Sequence, residues 1–340
     1  MYDDEKKFSK RHWYGILFLM IILGIFAVWQ GFTKKEQSTT TPAANQIVET
    51  LPVLDPEFGM IFNANGELGT IHTGSYSGLI DGQSVSRLPM QYAEVDGYAV
   101  AEGDILIHPD GPVQASMGVE DHGYLWPNNL IPYMIDPKLP DQHRITDAIA
   151  HWEEHTPFRF VERTEANASQ HPNYVKFVPS QGCASYVGMQ GGMQPIMLAK
   201  ACSTGNTIHE IGHAIGLWHE QSRIDRDDNV DILYENIISM YAYNFDIQSE
   251  NGVDLGAYDY DSIMHYPRWA FSKNGKDTIV PHGNHEIGQR AGLSTGDIDG
   301  VLEMYNLDDP TINSEGAMSE GAIDFNFASE HQSGCHHDGH

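Results

Sequence analysis

A chain of 340 residues with 19 basic and 47 acidic side chains carries a formal net charge of −28. Its length allows one large domain or two modest ones, with enough core to fold unaided. Its charge repels polyphosphate, so no nucleic acid is expected as a partner.

Residues 1–12 contain Lys6, Lys7, Lys10 and Arg11 and read as a cytoplasmic amino terminus by the positive-inside rule. Residues 13–32, "WYGILFLMIILGIFAVWQGF", carry no charge and match the ~20 residues that span a bilayer as a helix. The segment is a retained membrane anchor or a cleaved export signal. Either way the rest of the chain is exported, anchored on the extracytoplasmic side of a membrane or secreted. Residues 33–54, which include "EQSTTTPAAN", have the composition of a linker.

Residues 55–116 are rich in glycine, with short alternating patches such as "GYAVAEGDILIHPDG". Isolated β-hairpins without a large core are expected there. Structure becomes denser across residues 117–306. "LIPYMI" predicts a strand. In "DQHRITDAIAHWEEHT" the spacing predicts a helix with Ile145, Ala148, Ile149 and Trp152 on one face and Asp141 as its N-cap. "FRFVERT" and "YVKFVPS" alternate at period two, and "PIMLA" is a short apolar strand. Helix against small sheet is an α+β pattern. "NIISMYAYNF" and "STGDIDGVLEMYN" are the later helical candidates, and residues 307–340 are acidic and polar, a disordered tail ending in "GCHHDGH". Cys335, His336, His337 and His340 in that tail are a solvated end or a second metal site. Cys183 and Cys202 are a disulfide if the chain is exported, and two buried thiols otherwise.

The densest chemistry lies in "TIHEIGHAIGLWHEQ", Thr207 to Gln221. His209 and His213, at i and i+4, project from one helical face and suit one tetrahedral Zn²⁺. Glu210 is rotated by about 100° from His209, out of place as a third ligand, and suits a general base acting on a metal-held water. Gly216 allows the chain to leave the helix and turn back, bringing His219 in as a third nitrogen ligand. With five specified positions the chance of this spacing is below about 10⁻⁶ per starting point, so the chain's histidine richness does not account for it. Further on, Met264 in "YDSIMHYPRWAFS" matches the methionine turn that follows the extended histidine motif in metzincins, an apolar floor under the ligands.

"HEIGHAIGLWHEQSRIDRD" followed by "SIMHY" resembles the astacin family of zinc endopeptidases, as do "LWPNNLIPY", "GCASYVG", "TIV" and "IGQR". The resemblance covers about 118–306. It implies a two-lobed α+β catalytic domain with one zinc ion in the cleft between lobes, and protein or peptide substrates. It also implies that Tyr266 is a displaceable further zinc ligand that helps stabilise the oxyanion, and that Glu220 contacts the amino terminus formed on maturation. "AEGDIL" resembles the family's inhibitory prosegment motif, with Asp104 as the blocking ligand and Ala101 where the motif has Phe. An activating protease would then cut near Ala115 to Val119. Of the family's two disulfides, Cys183–Cys202 matches the second, while Pro157 and Leu307 stand where the first would be, leaving that closure to packing. Substrate is expected along an edge strand near Met193 to Lys200. Arg268 and Lys273 are candidates for an acidic substrate preference. The alternative to an active zymogen is a catalytically inactive, membrane-tethered binding module of the same fold; a zinc hydrolase of other bonds is a third reading.

Overall fold

The structure, a computed structural model, describes residues 70–80, 83–95, 97–108, 124–248 and 253–307. The anchor segment 13–32, the linker, the cleavage region Ala115 to Val119 and the tail with Cys335 lie outside the described residues. Among those described, no helix is long and apolar enough to cross a membrane.

The first strands are β1 (Thr70–Ile80) and β2 (Gln83–Val95), a long antiparallel hairpin running in register from Thr70 opposite Glu94 to Ile80 opposite Gln83, with one irregularity at Tyr76/Ser77. They continue into β3 (Tyr98–Ala101) and β4 (Ile105–Ile107). These hairpins are not isolated. Among the described residues nine strands form one sheet, ordered β1-β2-β3-β4-β8-β9-β7-β5-β6. The remaining members are β5 (Leu130–Ile135), β6 (Arg159–Glu162), β7 (Tyr174–Pro179), β8 (Ala184–Tyr186) and β9 (Met193–Leu198). β4 lies parallel to β8, Ile105 opposite Ser185 and Leu106 opposite Tyr186. The residues expected to lack a core thus bury Val95, Val100 and Leu106 against Ala184, Tyr186 and Met197.

Two expectations are corrected here. β9 is not an edge strand: it is flanked by β7 on one side and β8 on the other. The strand that meets the preceding segment is β8. Asp141 does not cap the first helix, α1 (His143–His155); its own φ is +52° and Gln142 takes the N-cap position without a side-chain bond. The apolar face is as read, since Ile145, Ala148, Ile149 and Trp152 are all buried.

That face packs on the second helix, α2 (Thr204–Ile215), and on the sheet, joining Ile208, Ile211, Ala214, Phe177, Ile196 and Leu198 in one core. Burying an indole also requires a partner for its N–H. Trp152 donates to the carbonyl of Ile208 at 3.1 Å and Trp126 to that of Ala214 at 2.8 Å. The Cys183–Cys202 disulfide is present, tying the residue before β8 to the loop before α2. Close to Pro157 and Leu307 in the chain, Phe158 and Tyr305 pack together. The Tyr305 ring meets Phe158 edge-on with centroids 4.8 Å apart, and its hydroxyl donates to the Ile215 carbonyl at 2.8 Å.

A second apolar cluster gathers residues of 230–287, among them Ile238, Tyr241, Phe245, Tyr266 and Phe271. "NIISMYAYNF" forms a 3₁₀ helix over Ser239–Phe245 rather than an α-helix, while "STGDIDGVLEMYN" gives the third helix, α3 (Thr295–Met304). A short pair, β10 (Val230–Ile232) and β11 (Ile279–Pro281), closes this part.

Candidate metal centre

α2 begins with a capping box in which Ser203 and Asn206 satisfy each other's backbone N–H groups. Its residues from Gly205 on are buried, so side chains at adjacent positions face different but equally dry surroundings. Gly216 ends it with φ of +136°, its N–H bonding the carbonyls of Gly212 and His213. The chain then returns His219 to the helix, and the N–H of Glu220 is held by the Met264 carbonyl at 3.2 Å.

The outcome is a tight cluster. Ligand atoms of Asp104, His209, His213 and His219 all lie within 4.8 Å of one another. Asp104 Oδ2 is 3.3 Å from His209 Nε2, and its Oδ1 is 3.2 Å from His219 Nε2 and 3.8 Å from His213 Nε2. The three Nε2 atoms and Asp104 Oδ1 are buried without a hydrogen-bond partner. Buried polar atoms are ordinarily paired, so four that converge unpaired fit a metal ion as their common partner. Each Nδ1 is already engaged: His209 with the Ile263 carbonyl at 2.8 Å, His213 with the Leu217 carbonyl at 2.7 Å, His219 with a Glu102 oxygen at 2.7 Å. Such partners orient the ring and fix which nitrogen is free.

The electrostatics follow from burial and from Asp104. Burial, with Arg290 nearby, lowers His209 to about 4, and burial holds His213 well below the usual histidine value. Burial also acts against His219, but the nearby Asp104 charge and the bond to Glu102 outweigh it and raise His219 to about 9. Burial likewise opposes ionisation of Asp104, yet His219 and His209 hold it below the usual carboxylate range. A cation bound here would take over that role and release the His219 proton. Glu210 is fully buried, neither oxygen has a partner, and burial followed by the Asp104 charge raises it well above an ordinary glutamate.

The other site residues distribute around this centre. Met264 is buried, and a Cβ on Gly212 would come within 2.8 Å of its Sδ. The Tyr266 ring lies tilted against that of His219 with centroids 4.6 Å apart, and its hydroxyl donates to the backbone carbonyl of Glu102. Glu220 accepts from the Asp259 N–H at 2.7 Å and lies 3.5 Å from Arg223 Nε. Arg268 is engaged by Asp277 and Glu286 and by the His285 carbonyl, so its charge is already countered within the protein. Sequence reasoning missed Glu102, although it stands in the quoted "AEGDIL" two residues before Asp104.

A buried three-histidine centre on a helix that ends at glycine, set between two apolar cores of an α+β domain, defines a mononuclear metal-site protein of the extended-histidine type. Residues 118–306 match the model of the peptidase family described as "Astacin", and the chain belongs to the astacin family. It is similar to "Blastula protease 10" of Paracentrotus lividus, 38% identical over 231 residues, covering 61% of this chain and 39% of that protein. It is similar to "Zinc metalloproteinase nas-13" of Caenorhabditis elegans, 41% identical over 208 residues, covering 58% and 45%. Among solved structures, high choriolytic enzyme 1, a hatching enzyme zinc-protease from Oryzias latipes, is 36% identical with a TM-score of 0.49, covering 55% of this chain and 97% of that one. The chain thus spans less than half the length of these two curated relatives. The family and the four-residue cluster together give zinc, one ion, as the cofactor.

Proposed function

We propose that this chain is a zinc-dependent endopeptidase made as a latent zymogen, with residues 55–116 as its prosegment. The observation that carries the reading is Asp104, a carboxylate delivered from outside the matched domain into the space shared by three histidine Nε2 atoms. In this reading His209, His213 and His219 are the zinc ligands and Asp104 fills the position that a water needs. The family relatives whose names include protease or metalloproteinase support peptide bonds as the target.

Zinc held by these histidines supplies Lewis acidity toward the substrate carbonyl and an acidified water. Glu210 takes the proton of that water and returns it to the departing amine. While Asp104 is in place, the dry surroundings and then its charge raise Glu210 well above an ordinary glutamate, which weakens it as a base in the latent form. Withdrawal of Asp104 removes one cause and admits water, which weakens the other. Tyr266 loses its Glu102 carbonyl partner at the same time, and its hydroxyl becomes free to donate to the developing oxyanion. β8, released from β4, offers its backbone edge to an extended substrate. Glu220, largely buried and hydrogen-bonded by only one backbone N–H, suits capture of the new amino terminus.

Release requires an activating protease. The Cys183–Cys202 bridge supports an oxidising compartment, consistent with residues 13–32 acting as an anchor or a removed signal. The test is casein cleavage by the processed protein with and without a chelator, beside Glu210→Ala. A loss of about 10²–10⁴-fold is expected for Glu210→Ala. Unchanged cleavage by that variant rules out the base assignment, and no cleavage by processed wild type favours the binding-module alternative.

A further inference from the structure

The three histidines differ in where their Nδ1 partners come from. Those of His209 and His213 are carbonyls of the matched domain itself, Ile263 and Leu217. That of His219 is the Glu102 carboxylate, from the segment ahead of the domain. Glu102 is 2% exposed and both of its oxygens are used. Oε2 accepts from His219 Nδ1 at 2.7 Å and from Ser222 Oγ at 3.0 Å, and Oε1 accepts from Gln248 Nε2 at 2.6 Å. Its main-chain carbonyl accepts the Tyr266 hydroxyl. Its φ is +46°, a left-handed conformation that a glutamate keeps only where its surroundings impose it. Gly103 follows at +79°, and the two together turn the chain so that carboxylates two residues apart reach opposite ends of the His219 ring.

We propose that Glu102 is a positioning residue for the metal centre, the outer partner that aligns His219, and that latency is a two-carboxylate clasp of Glu102 and Asp104. The proposal rests on the latent reading above and adds the partner exchange that activation must bring about. A carboxylate at Nδ1 holds the ring hydrogen there and leaves the Nε2 lone pair for the metal, and it makes the ligand more basic. When the segment departs, His219 Nδ1, Ser222 Oγ, the Gln248 amide and the Tyr266 hydroxyl lose this one residue together. The latent form therefore holds zinc more firmly than the processed form, and Tyr266 is freed in the same event that changes the His219 environment.

The test uses the full chain in its latent form. Zinc release to a chromophoric chelator is followed for wild type, Glu102→Gln and Gln248→Leu, with the visible spectrum of each cobalt-substituted protein. Glu102→Gln is expected to lose zinc about 10–100-fold more readily and to shift the cobalt spectrum. Gln248→Leu keeps the carboxylate at His219 but removes its Oε1 donor, and its zinc loss is expected to fall between wild type and Glu102→Gln. Wild-type retention and an unshifted spectrum in Glu102→Gln overturn the proposal. Should that variant not fold, the nitrogen resonances of the histidines in wild type decide. His219 Nδ1, and neither of the other two Nδ1 atoms, must change when the segment is cleaved away, and no change overturns the proposal. Asp104→Asn tests the underlying reading separately: zinc retention and a cobalt spectrum equal to wild type in the uncleaved Asp104→Asn protein refute Asp104 as a ligand, whatever Glu102 does to zinc.

Discussion

Glu210 and Glu220 stand one helix-end apart and are given different tasks by their surroundings. Glu210 has no partner for either oxygen, whereas Glu220 has the Asp259 N–H and a nearby Arg223. Burial raises Glu220 from an ordinary 4.5 to about 8 against the pull of Arg223. An acid with a raised folded value keeps its proton in the native state after the unfolded chain has lost it. Its contribution to stability is therefore complete below about 4.5 and lost as pH rises to about 8. The melting temperature of the latent protein should fall over that window, and Glu220→Gln should flatten the fall. Equal pH slopes for the two proteins would remove this account of Glu220. For Tyr266, replacement by Phe in the processed enzyme should lower kcat by about 10²–10³-fold with little change in KM, the mark of a donor used mainly in the transition state. A change confined to KM would assign Tyr266 to substrate binding.

At the scale of the element, α2 combines a helix that must be straight for His209 and His213 with two glycines that must have no side chain. A Cβ at Gly205 would fall 1.8 Å from the Arg290 carbonyl oxygen, and one at Gly212 would fall 2.8 Å from Met264 Sδ. Helix propensity alone favours alanine over glycine by about 1 kcal/mol. Against that, Gly205→Ala meets backbone that cannot step aside, while Gly212→Ala meets the end of a flexible side chain. Denaturant unfolding should show Gly205→Ala destabilised by about 1–3 kcal/mol or more and Gly212→Ala affected less. Net stabilisation of Gly205→Ala would mean that the helix does not pack on Arg290 as described.

At the scale of the whole molecule, the segment preceding the matched domain extends the catalytic sheet and ends on β8. The Ser185 N–H donates to the Asp104 carbonyl at 3.0 Å, so one strand pairing both extends the sheet and seats the carboxylate. Hydrogen exchange at Ser185 should be slow in the latent form and faster after processing; the same protection in both forms would show that β8 stays covered. The disulfide holds the residue just before the same strand. Cys183 and Cys202 are 19 residues apart, and closing a loop of that size stabilises by about 3 kcal/mol in the chain-entropy account. The Cys183→Ala, Cys202→Ala double variant should lose roughly that amount in an unfolding titration.

What the sequence by itself determined lies within short range. The face of α1, the i, i+4 spacing of His209 and His213, the stop at Gly216 and the return to His219 are consequences of helical periodicity and one glycine, each readable in a short window. Strands β5, β6, β7 and β9 are legible for the same reason, as local alternation or a short apolar run, while β8, β10 and β11 are too short to show a pattern. Their order is not, which is why an edge is expected at β9, although β8 lies beside it and β4 covers β8 in turn. Asp141 carries a capping side chain, but its positive φ, set by the turn it ends, gives the cap to Gln142. Glu102 shows the limit most plainly. Its partners His219, Ser222 and Gln248 lie 117, 120 and 146 residues along the chain, and no pattern within "AEGDIL" encodes them. The tertiary structure decided that a glutamate would stand behind His219, because only the pairing of β4 with β8 carries its turn into the buried space where those donors meet.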